Sequence, residues 1–304
     1  MDNRTERSGR RARVDLIDGF LGAGKTTFIR RYIEFLEQKG ISYAVLENEF
    51  GAAGVDARLL GGNVRELSGG CICCGQKVNF HNLLIELCEE AERVIVEPSG
   101  IFNADDFFDI MDSAEVQRVA ECGMMACLVD PFSLDGMTEE DRAVLFDELI
   151  CAGACLLSRT DRADGETIRE AEAVLSALTG GQIPVLDARQ ADFESLQQMT
   201  PARRKHVRRQ ADHSTLFQSA TVYPDGEYSR EALLGMAGRL LSGEAGGVLR
   251  VKGAVQAAEG GFLSVNAAGS DIEILPGCGP AVLNIIGRSV SRKKIRELLR
   301  ASEK

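Results

Sequence analysis

Apolar positions along this chain recur with two periods, and the alternation between them marks out its elements. Arg13–Asp18, with Val14, Leu16 and Ile17, predicts a short strand. In Thr26–Lys39 the period lengthens to that of a helix: Phe28, Ile29, Tyr32, Ile33 and Leu36 share one face, and Gly40 ends it. Ser42–Glu47 predicts a strand, Val78–Glu92 a helix, and Arg93–Glu97 a buried strand. Met124–Asp130 and Ala154–Ser158 predict further strands, each followed by a helix, Glu139–Ala152 and Glu166–Leu178. Ile183–Leu186 predicts the last strand of this region. Strands alternating with helices imply an α/β domain, a parallel sheet with helices on both faces.

The pattern changes after about Ala191. A basic stretch, Arg203–Arg209, predicts a linker or exposed helix. Thr215–Tyr223, Val248–Ala257 and Ala281–Ile286 predict strands, Gly261–Ala267 and Asp271–Leu275 a hairpin-like pair, and Ser229–Leu241 and Ser291–Arg300 helices. Strands in runs, with two helices, predict a smaller α+β domain. The expected organisation is a disordered basic tail at 1–12, a nucleotide-binding domain at 13–200, a linker at 201–213 and the α+β domain at 214–304.

Composition narrows the partners. The 304 residues suffice for two domains, 44% are hydrophobic, and there is no Trp, so the core must be mostly Leu, Ile, Val and Ala. A net charge of −11 argues against broad binding to nucleic acid or anionic lipid. No apolar run approaches the roughly 20 residues of a membrane helix. Met1–Arg13 lacks the apolar segment of a secretory signal. The nine Cys do not form a disulfide framework: Cys88, Cys127 and Cys155 lie in apolar segments and others cluster in one loop, which fits a reduced cytoplasm.

The chemistry is concentrated in three places. Gly19-Phe-Leu-Gly22-Ala23-Gly24-Lys25-Thr26, followed by Thr27, leads from a strand into a helix. Such a loop wraps backbone N–H groups around phosphate oxygens, sends Lys25 to the β- and γ-phosphates and offers the Thr26 hydroxyl to Mg²⁺. Glu97 ends a buried strand, where it could hold Mg²⁺ through water or polarise an attacking water, or simply bond the next helix. Ser158-Arg159-Thr160-Asp161 stands where guanine pockets carry Asn-Lys-x-Asp. Asp161 can accept both guanine N–H bonds and the Arg159 stem can pack on a base, although an Asp here can also cap a helix.

The third place is Cys71-Ile-Cys73-Cys74 after Ser68-Gly-Gly70. Three thiols in four residues can face one thiophilic ion, zinc among them, leaving a fourth position open for transfer. A redox-active thiol pair is the alternative. His81 follows on the next predicted helix, where a structural role outweighs a fourth ligand.

These residues together resemble the CobW-like family of P-loop GTPases, relatives of the nickel chaperones UreG and HypB. The resemblance rests on Gly19–Thr26, Glu47-Asn-Glu49-Phe-Gly51, Cys71–Cys74 and Glu97–Gly100, in that order. It implies a P-loop fold with a small C-terminal α+β domain, GTP and Mg²⁺ as cofactors, and Zn²⁺ or Co²⁺ as the metal delivered to a client metalloprotein. It also implies that Glu47, Asn48 and Glu49 form a switch beside Mg²⁺ and phosphate, with Glu49 joining Lys25 and Glu97 in hydrolysis. A homodimer is open to such a chain. A nucleotide-dependent activator or scaffold of a metalloenzyme or corrinoid enzyme, without metal carriage, is the other reading. An ATPase or kinase-like enzyme with a structural zinc is a third.

Overall fold

The computed structural model describes residues 10–20, 22–48, 64–67, 77–98, 104–199, 217–269 and 271–302. Its first part is built on β1 (Ala12–Gly19), β2 (Tyr43–Asn48), β3 (Val64–Leu67), β4 (Arg93–Glu97), β5 (Ala120–Val129), β6 (Ala154–Leu157) and β7 (Val185–Asp187). All pair in parallel, in the order β3-β2-β4-β1-β5-β6-β7. The chain leaves β1 toward one edge and returns to its other side with β5. The carboxyl ends of these central strands therefore open a crevice, the usual ligand position in such sheets.

Helices cover both faces: α1 (Lys25–Gln38), α2 (Lys77–Glu90), α3 (Ala104–Met111), α4 (Ala114–Val119), α5 (Glu139–Leu149), α6 (Gly165–Thr179) and the short α7 (Phe193–Leu196). The periodic residues of α1 are the ones it buries: Phe28, Ile29, Tyr32, Ile33 and Leu36. Thr138 and Asp141 cap α5 reciprocally, and Asp164 accepts from the Thr167 N–H to start α6.

Several features depart from the pattern reading, among them β3, α7 and the two-residue strand Glu227–Tyr228, for which it predicted no element. Strand β5 begins at Ala120 rather than Met124. Glu121, Cys122 and Gly123 break the apolar run, but pairing with β1 extends the strand back to Ala12↔Ala120. A side chain at Gly123 would meet Asp15 Oδ1 at 2.1 Å, so the interrupting residue is one this packing requires. Helices α3 and α4 occupy a stretch for which the pattern predicted no element. Phe107, Phe108, Ile110, Met111 and Val116 nevertheless sit in the core under β1, β2 and β4.

The second sheet is antiparallel along β12 (Asp271–Gly277), β11 (Phe262–Ala268), β10 (Gly247–Ala257), β13 (Val282–Arg288) and β8 (Gln218–Val222). The two-residue β9 (Glu227–Tyr228) joins β10 in parallel. Two helices, α8 (Arg230–Leu241) and α9 (Arg292–Ser302), close one face over Val251, Val255, Val265, Leu283 and Ile285. The opposite face turns to the first sheet's crevice. There Phe217 and Ile286 pack with Val144 of α5, and the rings of Phe217 and Phe20 lie 6.0 Å apart. Arg288 stands 5.6 Å over Phe217 and is paired to Asp141. Among the described residues no helix is long and apolar enough to cross a membrane.

Candidate nucleotide and metal site

The loop after β1 has the backbone that its glycines were expected to permit. Gly19 has φ +138°, and a Cβ there would lie 2.3 Å from the Leu128 carbonyl oxygen of β5. Gly22 has φ +79°. The Ala23 N–H donates to the Phe20 carbonyl at 3.1 Å, closing the turn, and Gly24 is the N-cap of α1. Gly24 has no side chain to cap the first N–H groups of the helix, the end whose dipole favours an anion.

Lys25, Thr26 and Thr27 open the helix. Lys25 is 6% exposed and its Nζ donates to the Gly19 carbonyl at 2.6 Å, so it lies folded across the loop. The Thr26 hydroxyl donates to Glu97 Oε1 at 2.9 Å. Glu47 and Glu97 are register partners on β2 and β4 and are both buried. A hydroxyl and two neighbouring carboxylates at the foot of a phosphate loop are hard oxygen donors, a set that fits Mg²⁺. Thr27 is exposed on the first turn.

Behind the loop lies an acidic pocket that sequence reasoning missed. Asp18 accepts the Gly19 N–H at 2.8 Å. Glu148 on α5 is 2% exposed, and among the described residues neither of its carboxyl oxygens has a hydrogen-bond partner. Burial, then the charge of Asp18, pushes the Glu148 carboxyl well above its usual range, with Lys25 opposing. No apolar periodicity in α5 marks Glu148 as inward.

The segment Ser158–Asp161 follows β6 beside the loop, with Ser158 Cβ 3.6 Å from the position of a Cβ on Gly24. Arg159 has φ +52°, and its guanidinium contacts Asp130 Oδ2 at 2.8 Å, the Gly22 carbonyl at 3.0 Å and Asp271 Oδ2 at 2.6 Å. Burial raises the Asp130 pKa, and Arg159 offsets part of that. Asp161 is half exposed, 3.7 Å from Arg189. Asp130 directly follows the apolar end of β5, as Glu97 ends β4, and that parallel is the signal by which it could have been found.

Two residues of the second sheet reach the same site: Asp271, on Arg159, and Lys252, whose Nζ is 3.6 Å from Glu47 Oε1. Neither is marked by any local motif.

Glu49, Cys71, Cys73 and Cys74 lie outside the described residues. Among the described residues, no group of three or more His, Cys, Asp or Glu side chains is placed to hold a metal ion. Cys88 and Cys155 are buried, and burial pushes both thiols up to about 12. Cys127 is raised further, by burial and then by Glu148. These three are core residues, as their apolar surroundings predicted; Cys122 and Cys151 are half-buried and Cys278 is exposed, so not every remaining Cys belongs to the core. His81 lies on α2 with Nε2 3.1 Å from the Ser113 hydroxyl, a structural contact.

The family model described as CobW/HypB/UreG, nucleotide-binding domain, matches residues 13–187. The zinc chaperone YjiA of Escherichia coli (strain K12) is 33% identical over 177 residues, 54% of this chain and 54% of that protein. The zinc chaperone CobW of Pseudomonas aeruginosa is 26% identical over 216 residues, 59% of this chain and 57% of that protein. The chain thus spans about half the length of these curated relatives. A crystal structure of Zn(II)-bound YjiA GTPase from E. coli aligns over 97% of this chain and 100% of that one, at 20% identity and a TM-score of 0.45.

Proposed function

The chain belongs to the CobW/HypB/UreG family, and from that premise we propose that it is a GTP-driven metallochaperone. It takes a thiophilic ion on Cys71, Cys73 and Cys74 and passes it to a client metalloprotein. The observation that carries this reading is the Thr26–Glu97 hydrogen bond at 2.9 Å, with Glu47 in register beside it. It supports a hard-cation end to the nucleotide site beside β2, the strand that leads into Glu47–Gly51. Zinc is favoured over cobalt because the named relatives are zinc chaperones.

The roles follow from position. The loop N–H groups and Lys25 hold the β- and γ-phosphates; Lys25 swings from the Gly19 carbonyl to do so. Thr26 and Glu47 hold Mg²⁺, which neutralises charge between those phosphates when bound. Glu97, freed from the Thr26 hydroxyl, orients water with Glu49. Asp161 accepts the guanine N–H groups, and the Arg159 stem flanks the base. Strand β3 pairs with β2 up to Asn48↔Leu67, and Cys71 is only four residues beyond Leu67 in sequence.

Equilibrium zinc binding by the reduced chain tests the reading. One ion per chain is expected in the wild type, and its loss in the Cys73→Ala, Cys74→Ala double variant with the unfolding transition retained. Undiminished zinc binding by that variant contradicts it.

A further inference from the structure

Lys252 sits in β10, with β11 and β13 on either side (Lys252↔Asn266 and Lys252↔Asn284), and is 4% exposed. An ammonium in that position carries a desolvation penalty that a Met or Leu of similar volume would avoid. Its neighbours Val251 and Val255 point to the apolar core under α8 and α9, and Lys252 points the other way, toward Glu47. Asp271, at the start of β12, holds Arg159 in the same manner and also reaches Arg162 at 3.3 Å. Between these pairs the second sheet touches the phosphate loop itself: a Cβ on Gly22 would lie 2.8 Å from the Ala268 Cβ.

Both ion pairs therefore engage a side chain needed elsewhere. Glu47 is placed to hold a divalent cation and Arg159 to flank a base. At 3.6 Å the Lys252–Glu47 contact lies beyond hydrogen-bond range and acts through charge. A cation at Glu47 would meet the positive charge of Lys252 at short range in a buried setting, where repulsion is poorly screened.

We propose that Lys252 and Asp271 are positioning residues of the nucleotide site contributed by the C-terminal domain, forming a latch that Mg²⁺ and nucleotide must release. The inference rests on the GTP reading above. Lys252 occupies the charge of Glu47 until Mg²⁺ takes it, and Asp271 keeps the Arg159 guanidinium off the base position. Binding at the phosphate loop thus loosens the contact between the two sheets, and anything that pulls the C-terminal domain away favours binding.

The test is the Mg²⁺ dependence of binding of a fluorescent guanine nucleotide to the full chain, for wild type, Lys252→Met and Asp271→Asn. Lys252→Met should lower the Mg²⁺ concentration for half-maximal binding by roughly fivefold or more, the low end of ordinary site-to-site coupling. Asp271→Asn changes a partly exposed side chain and so remains folded. It should tighten nucleotide binding equally at all Mg²⁺ levels, because it removes one of the three contacts on the Arg159 guanidinium without touching Glu47. A merely structural role for Lys252 would lower stability and leave the Mg²⁺ dependence unmoved. Wild-type binding with an unchanged or weakened Mg²⁺ response in Lys252→Met overturns the Lys252 arm of the latch. Unchanged or weaker affinity in Asp271→Asn overturns the Asp271 arm, and decides the latch alone should Lys252→Met not fold. A wild type that binds no guanine nucleotide at any Mg²⁺ level overturns the GTP reading on which both arms stand.

Discussion

Two buried ion pairs lie at opposite ends of the first sheet, and they differ in the geometry of their contacts. At the amino ends, Asp15 accepts from Arg93 Nη1 at 2.7 and 3.0 Å, from the Met124 N–H at 2.5 Å and from the Tyr32 hydroxyl at 2.8 Å. The Tyr32 hydroxyl in turn accepts from Gln197 at 2.9 Å. Burial raises the Asp15 pKa, and Arg93 with the hydrogen bonds from Met124 and Tyr32 opposes that rise. At the carboxyl ends, Glu47 faces Lys252 across 3.6 Å, and Glu97 is bonded to Thr26, the residue proposed to meet Mg²⁺. The first pair is directional and closed, and so fixes how β1, β4, β5 and α1 pack. The second sets an ammonium and a carboxylate 3.6 Å apart, at the end where ligands are proposed to bind. Equal burial thus separates into a structural and an exchangeable arrangement once hydrogen-bond geometry is considered.

The comparison breaks most directly at the arginine. Arg93→Met leaves a fully buried carboxylate without its cation, a change that costs about 3–5 kcal/mol. Chemical denaturation should show that loss undiminished by Mg²⁺ and guanine nucleotide. Lys252→Met creates the same imbalance at Glu47, but Mg²⁺ with nucleotide should recover most of its loss. Equal recovery in both variants would erase the distinction between the two ends.

Next in size is Lys25→Ala. It should leave the unfolding transition nearly intact, because among the described residues Lys25 donates only to the loop carbonyls of Gly19 and Phe20. It should lower GTP turnover by about 100-fold or more, the usual effect of losing one preorganised donor to developing charge. Single-turnover phosphate release measures it, and near-normal release would remove Lys25 from the site.

The smallest effect concerns Glu148. Burial and the Asp18 charge raise its folded pKa above the unfolded value, so across that interval the folded state holds a proton the unfolded chain has released. Its contribution is full below the usual carboxylate range and is lost as pH rises through the raised value. The wild-type Tm should therefore fall more than that of Glu148→Gln between about pH 5 and about pH 8. Parallel curves would mean that Glu148 does not titrate in that interval.

How much of this was legible in sequence depended on the range of the interaction concerned. The α1 face, the phosphate loop and the acid closing β4 are local patterns, and the structure places them where the periods indicated. The start of β5 was hidden because Glu121–Gly123 has no apolar signature and is strand only through pairing with β1. Glu47, proposed as a switch residue, became visible through resemblance, since a Glu after an apolar strand has many uses. Lys252 and Asp271 were illegible: each acquires meaning from a partner distant in the chain, brought near by domain packing. Arg159 reads locally as a base-flanking stem, while its guanidinium here serves three partners that only the tertiary arrangement supplies.

The central claim is that nucleotide and metal binding are coupled. Its most direct measurement is a zinc titration of the reduced wild-type chain with and without saturating Mg²⁺ and a non-hydrolysable GTP analogue, paired with a titration of that analogue with and without zinc. Linkage requires the two affinity ratios to be equal, and coupling of about 5- to 150-fold is expected. Zinc affinity that is the same with and without the analogue would contradict the account, even if Cys71, Cys73 and Cys74 do hold the ion.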